Sequence, residues 1–331
     1  MNIHIIYTGG TIGSERGADG AIGISDHPPA SLISYPGVNF THSSPYRILS
    51  ETITPAHWDK LLGHIHSITE NPDAILITHG TDTLAYTAAF LALACRGVQG
   101  VNVPVFMISS DRPLSDPGAN GIAHMEAAVA AARAGAAPGV YIPYRNPGTG
   151  ETVMHRGERI MQAGDFSDAF YSIPGHGYGN GNGNGHGNGN GSGVLQPDTG
   201  ARTRQQTCPL VLSAKILQIR PYPGIDYSAY DLSGVCAVLH GTYHSHTADA
   251  DAVIAFAKKA ADTGKKVYFA PISSVPEKRY ATSEKLIGSG LVIPLYDMTF
   301  ESAYALLLMT ESQQVGSNRE QRQQTCPPVL W

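Results

Sequence analysis

Two short segments of the chain combine glycine with hydroxyl and carboxyl side chains where buried strands are predicted to end. "YTGGTIG" (7 to 13) follows the apolar run "NIHII", and "ITHGTDT" (77 to 83) closes the run "AILIT". Glycines let a backbone turn tightly or let another molecule come close, so Thr11 stands on one bare loop and Thr81–Asp82 on another. In an open parallel sheet, strand-to-helix turns lie at the carboxyl edge, where ligands bind, so the two segments can face one crevice. Two other readings of the same residues stand beside this one. Thr and Asp just before a helix commonly serve as N-caps, and for Asp82 taken alone the cap is the reading favoured by its type and place. A Gly-rich loop before a helix also suits a phosphate, but "TGGTIG" has neither the G-x-G-x-x-G spacing nor the lysine of a P-loop.

The elements that would position these residues alternate. "AILIT" (74 to 78), "VPVFMIS" (103 to 109) and "GVYIPY" (139 to 144) read as buried strands, with helix-period segments between them, which predicts a parallel sheet covered by helices. The clearest helix begins at Thr54–Pro55, an N-cap followed by proline at the first helical position, and places Trp58, Leu61, Leu62, Ile65 and Ile68 on one face. Helices are also predicted over 84–95 and 121–134, each followed by a glycine, Gly97 and Gly135, suited to a left-handed C-terminal cap. The pattern resumes with "SAKILQI" (213 to 219), "VCAVLH" (235 to 240), a helix near 248–262, "KVYFAPI" (266 to 272), "LVIPLY" (291 to 296) and a last helix carrying "FESAYALLLM" (300 to 309).

Between the two patterned regions lies "GHGYGNGNGNGHGNGNGSG" (175 to 193), which has no side chain able to anchor a core and reads as a flexible insertion that is dispensable for folding. The predicted organisation is an N-terminal catalytic α/β domain over 1–174, an insertion and linker over 175–206, a smaller C-terminal α/β domain over 207–310, and a polar tail over 311–331. "RQQTCPLVL" (204 to 212) returns as "RQQTCPPVLW" (322 to 331), a repetition for which we have no physical account.

At 331 residues the chain exceeds the usual size of one core, and with 42% hydrophobic and 15% charged residues it reads as soluble and globular. A net charge of -5 and the lack of a basic stripe argue against a nucleic-acid partner. The amino terminus has no basic region followed by a long apolar stretch, and no apolar run is long enough to cross a bilayer, so neither an export signal nor a membrane partner is expected. Cys95, Cys208, Cys236 and Cys326 lie far apart with no metal-ligand spacing, which fits a reduced, cytoplasmic setting. His244 and His246, in "HGTYHSHTA" (240 to 248), have a spacing metal ligands can use, but no third ligand is evident and no metal is assigned.

Taken together, "YTGGTIG" and "THGTDT" resemble the two signature segments of the L-asparaginase family of amidohydrolases, with the opening most similar to the cytoplasmic, type I branch. "LSETITPAHW" (49 to 58), "SSDRPLSDPGANG" (109 to 121), "YPGIDYS" (222 to 228) and "YATSEKLIGSGLVIPLYDMTFES" (280 to 302) also resemble family stretches, so the likeness covers most of residues 1 to 310. It implies a two-domain fold, a larger N-terminal, mostly parallel sheet with helices on both faces plus a smaller C-terminal α/β domain. It also implies hydrolysis of the side-chain amide of L-asparagine or a related small amide, without a cofactor, by a homodimer or homotetramer. Thr11 would be the nucleophile; Thr81 would help activate it or the water; Asp82 would hold the substrate ammonium. Ser50 would hold the α-carboxylate and Glu51 would add a contact to the ammonium, while Gly10 and Gly80, like Gly9, would let backbone N–H groups approach the substrate.

Two departures stand out. The family joins the Thr–Asp pair to a lysine, yet no lysine occurs between Lys60 and Lys215; an ungapped alignment puts Met161 in its place, with Arg156 and Arg159 as the nearest substitutes in charge. An arginine stays protonated and cannot serve as a base. Ala21 falls where the family's flexible loop supplies a tyrosine. A second reading therefore accompanies the enzyme: a catalytically weakened relative acting as a small-molecule binding or assembly module.

Overall fold

A computed structural model describes residues 1–16, 22–24, 35–95, 101–173 and 211–325, with no side-chain description at 16, 22, 24 and 317–325. The Gly/Asn-rich insertion, Gly97 and Ala21 lie outside the described residues, as does most of each copy of the repeated segment. The chain divides into two compact units, Met1–Thr207 and Cys208–Trp331.

In the first unit the elements are β1 (Asn2–Tyr7), β2 (Ser14–Arg16), β3 (Ile22–Ile24), β4 (Asn39–Ser43), α1 (Pro55–His66), β5 (Ala74–Thr78), α2 (Leu84–Ala94), β6 (Pro104–Ile108), α3 (Gly121–Arg133), β7 (Gly139–Tyr144), β8 (Val153–Arg156), β9 (Ile160–Met161) and β10 (Tyr171–Ser172). Six strands form a sheet in the order β4-β1-β5-β6-β7-β8, parallel except for the antiparallel edge pair β7–β8. Alternate residues face opposite sides. Ile3, Ile5, Leu76, Phe106 and Tyr141 pack with Met125, Ala128 and Val129 of α3. On the other side, the space beside Gly157 is walled by the Ala88 carbonyl and Ala92 Cβ of α2 and by Val140. Helices therefore cover both faces, as predicted.

The chain leaves β1 toward β4 on one side and leaves β5 toward β6 on the other. The loops after β1 and β5 thus diverge between adjacent strands, which makes the gap between their carboxyl ends the switch point where open α/β sheets bind ligands. Gly135 ends α3 as predicted, at φ 77°, with its N–H donating to the Ala132 carbonyl at 3.0 Å.

The second unit has β11 (Ile216–Ile219), β12 (Ala237–His240), α4 (Ala250–Asp262), β13 (Lys266–Ile272), α5 (Ala281–Gly288), β14 (Val292–Tyr296) and α6 (Phe300–Thr325). Its strands run parallel in the order β11-β12-β13-β14. Val238, Val253, Phe256, Val267 and Leu286 pack on one side, and Leu239, Ala270, Phe300, Ala303 and Leu307 on the other.

The polar tail expected from Glu311 onward is instead a continuation of α6 to Thr325. Glu, Gln, Arg and Ser tolerate a helix well, and the first proline after Glu311 is Pro327. Ser312 also anchors the extension, since its buried hydroxyl accepts the N–H groups of Ser213 and Ala214 at 3.0 and 2.9 Å. Among the described residues, no helix is long and apolar enough to cross a membrane.

Candidate active site

The ends of β1 and β5 are stapled together before either loop begins. The Thr8 N–H donates to Thr78 Oγ1 at 3.2 Å, and the Thr8 hydroxyl donates back to the Thr78 carbonyl at 2.5 Å. Beyond the staple both loops use glycine for close approach. Gly10 sits at φ 83°, ψ 172°, a backbone region open to little but glycine, and a Cβ there would overlap the Gly80 nitrogen and lie 2.5 Å from the His79 carbonyl carbon. A Cβ on Gly80 would in turn lie 2.7 Å from Ser50 Cβ. Both glycines are buried, whereas Thr11 and Thr81 are half-buried beside them. Gly10 and Gly80 therefore abut, which brings the loops carrying Thr11 and Thr81–Asp82 together at the ends of β1 and β5.

This packing gives a stability expectation. Gly10→Ala forces a Cβ into backbone at a positive φ and should cost about 3 kcal/mol or more. Gly13, with nothing within 4 Å of a would-be Cβ, is the matched control. Urea unfolding of Gly10→Ala and Gly13→Ala should show a large loss in the first and little change in the second; equal midpoints would contradict the close approach.

Ser50 opens a short 3-10 turn, Ser50–Thr52, and is 2% exposed. Its hydroxyl donates to Asp82 Oδ2 at 3.0 Å, and the Thr83 hydroxyl donates to the Ser50 carbonyl at 2.9 Å. Asp82 itself is exposed, as is Glu51. The cap reading of Asp82 does not hold: Thr83 is the N-cap of α2 and no side chain at that position caps the helix, because both residues are turned toward Ser50.

Behind the turn, His79 is fully buried and neutral. Its Nδ1–H donates to the Gly80 carbonyl at 2.7 Å, and its Nε2 accepts from the Thr87 hydroxyl at 2.9 Å, which itself accepts the Trp58 indole N–H at 2.9 Å. Burial pushes the imidazole down to about 4, against smaller opposing effects of the Gly80 carbonyl and Asp82. His79 thus supports the turn from below and carries no imidazolium charge at neutral pH. The second unit makes a related turn at His240–Gly241–Thr242, where His240 Nδ1–H donates to the Gly241 carbonyl at 2.7 Å, but Tyr243 stands in the place of the acid.

The neighbouring loop after β6 is fixed by reciprocal bonds. The Asp111 N–H donates to Asn120 Oδ1 at 2.9 Å and the Asn120 N–H to Asp111 Oδ1 at 3.0 Å, while His124 accepts the Arg145 N–H and donates to the Ser109 carbonyl.

The expected substitutes for the lysine are engaged elsewhere. Arg156 lies 3.2 Å from a Glu158 carboxylate oxygen and over the Tyr141 ring, and Arg159 Nε donates to the Ile173 carbonyl at 3.2 Å. Met161 is 37% exposed. The residue that meets the Thr81–Asp82 turn is its neighbour Gln162, whose Nε2 donates to the Thr81 carbonyl at 2.7 Å and whose Oε1 accepts the Ala85 N–H at 3.1 Å. Sequence reasoning passed over Gln162 because a single glutamine one residue beyond the aligned position carries no motif. Among the described residues, no three His, Cys, Asp or Glu side chains gather where a metal ion could be held.

A family model described as "Asparaginase, N-terminal" matches residues 2–179, more than half of the chain. The chain belongs to the asparaginase family. A probable L-asparaginase of Deinococcus radiodurans is 40% identical over 89 residues, which are 27% of this chain and 27% of that protein. A glutamyl-tRNA(Gln) amidotransferase subunit of Aeropyrum pernix is 28% identical over 286 residues, 79% of this chain and 62% of that protein. The chain thus spans less than two thirds of either curated relative. The crystal structure of L-asparaginase I from Vibrio cholerae matches this asparaginase-family fold with a TM-score of 0.65 at 27% identity, covering 95% of this chain and 93% of that one. The resemblance to the family and its type I branch, and the two-part mostly parallel α/β fold, are borne out.

Proposed function

We propose that this asparaginase-family protein hydrolyses the side-chain amide of L-asparagine or a related small amide, with Thr11 as nucleophile. The observation that supports the reading is the abutment of Gly10 on Gly80, which brings the loops carrying Thr11 and Thr81–Asp82 together at the sheet's switch point. Thr11 Oγ1 attacks the amide carbon, and the C–N bond breaks as the hydroxyl proton passes to the departing nitrogen, which leaves as ammonia. The ester left on Thr11 is then attacked by water, which restores the hydroxyl and releases the acid. Backbone N–H groups of the two glycine-flanked loops meet the oxyanion, where preorganised donors contribute most.

Thr81 orients the nucleophile and then the water. Asp82 accepts hydrogen bonds from the substrate's ammonium, with Glu51 as a second acceptor from the exposed side. The Ser50 hydroxyl, bonded to Asp82 in this structure, turns to the substrate's α-carboxylate. Without a lysine the proton must travel by hydroxyls and water, so turnover is expected to be slower than with a general base, whose help is worth about a hundred- to ten-thousand-fold. The protein would work as a homodimer or homotetramer.

The amidotransferase relatives favour a second reading, in which the chain is a weakened amidase serving as part of a larger assembly. The test is ammonia release by the purified protein from L-asparagine, L-glutamine and other small amides, beside its size in solution. Saturable release from at least one amide supports the enzyme; no release from any, with binding retained, supports the second reading.

A further inference from the structure

We infer that Gln162 is a positioning residue of the candidate site: its side-chain amide holds the Thr81–Asp82 turn by capping helix α2 from the segment just beyond β9. This rests on the amidohydrolase reading for its substrate and deepens it.

The first N–H groups of any helix lack intrahelical partners, and residues just before the helix usually satisfy them. In α2 those residues are Asp82 and Thr83, and both side chains are committed to the Ser50 loop instead. The task falls to Gln162, which lies just beyond β9 and is remote in sequence from the turn. Its Oε1 accepts the Ala85 N–H in the first turn of α2 at 3.1 Å, and its Nε2 donates to the Thr81 carbonyl at 2.7 Å. One planar amide thus bridges the peptide of Thr81 to the first turn of the helix and fixes the segment that carries the Thr81 hydroxyl and the Asp82 carboxylate. The chemistry asks for a side chain that donates and accepts at once. Glutamine does both, an ionised glutamate only accepts, and methionine has no N–H or O–H to donate. A protonated glutamate has nearly the glutamine shape and again offers a donor and an acceptor.

That equivalence supplies the test. Gln162→Met and Gln162→Glu are compared with the parent for kcat/KM on L-asparagine and for L-aspartate affinity by calorimetry, from about pH 8 to about pH 5, around the glutamate pKa as a half-buried carboxyl. Near the upper end both variants should lose about 10-fold or more in each quantity, because misplacing reacting groups is costly even where the fold persists. Toward the lower end Gln162→Glu should return to within about 3-fold of the parent at the same pH while Gln162→Met stays low. Near-ultraviolet circular dichroism identifies variants that remain folded. Parent-like values in either variant near pH 8, or a Gln162→Glu to Gln162→Met ratio that does not change with pH, would overturn the inference. If the parent releases no ammonia from any amide, the amidohydrolase reading falls, and the L-aspartate affinities still decide the role of Gln162.

Discussion

Thr11→Ala is expected to abolish ammonia release from L-asparagine, lowering turnover by about ten-thousand-fold or more, while thermal and urea midpoints stay close to the parent. Removing an activated nucleophile costs of this order, because the rest of the site then stabilises a step that cannot begin. The fold should hardly notice, because among the described residues the loop is held by bonds other than those of the Thr11 hydroxyl. The Gly10 carbonyl accepts the Ser14 hydroxyl at 2.9 Å and the Gly13 N–H at 3.0 Å, and the Gly9 backbone forms a bridge with Ile48. A half-exposed side chain outside such bonds changes stability by about 0.5 kcal/mol or less. Thr11→Ser, which keeps a hydroxyl, should retain measurable turnover. Unchanged turnover in Thr11→Ala would remove Thr11 from the mechanism.

The second large effect is on acid stability. His79, His124 and His155 in the first unit and His240 in the second are each lowered from 6.5 to about 4, in every case mainly by burial. The unfolded chain takes up these protons near 6.5, whereas the folded chain resists until about 4, so the native state is favoured fully above 6.5 and loses that advantage as pH falls toward 4. Each histidine carries ~3 kcal/mol on this scale, and those of the first unit together approach the whole stability of an ordinary domain. Unfolding free energy measured in urea should be flat above about pH 7 and fall steeply below about 6.5. His124 makes the cleanest variant, since among the described residues its ring bonds main-chain groups, the Ser109 carbonyl and the Arg145 N–H. Gln offers the same donor and acceptor without titrating, so between about pH 4 and 6.5 His124→Gln should reduce the proton uptake on unfolding by about one. A stability that stays level down to about pH 4.5 would contradict this.

How far the sequence reveals such a protein depends on which kind of residue carries the information. β5, β7 and β13 coincide with apolar runs read from the sequence, because strands buried on both faces need continuous apolar residues. β4 was missed: "NFTHS" is a polar edge strand, mostly exposed, whose place is set by parallel pairing with β1 rather than by its own pattern. The length of α6 was missed because its extension is held by Ser312 against a distant loop, a contact that no hydrophobic period announces.

The same division runs through the site. Gly10, Thr11, Gly80 and Thr81 stood out because glycine beside a hydroxyl at a strand end has few structural uses, and the structure brings their two loops together. Ser50 was legible only through resemblance, and the structure gives it a physical place against Asp82. Gln162 and the His79–Thr87–Trp58 chain were not legible, since each acts through partners remote in sequence. Asp82 was read locally as a cap, and the tertiary contact with Ser50 overrides that preference.

The most direct measurement on the nucleophile is mass analysis of the Thr11 peptide after the protein is mixed with L-asparagine and quenched in acid. An acyl adduct on the peptide spanning residues 7 to 16 is expected in the parent and Thr11→Ser, forming together with the first ammonia, and absent in Thr11→Ala. Ammonia release at the parental rate from Thr11→Ala, or an adduct that maps to another residue, would contradict a Thr11-centred amidohydrolase.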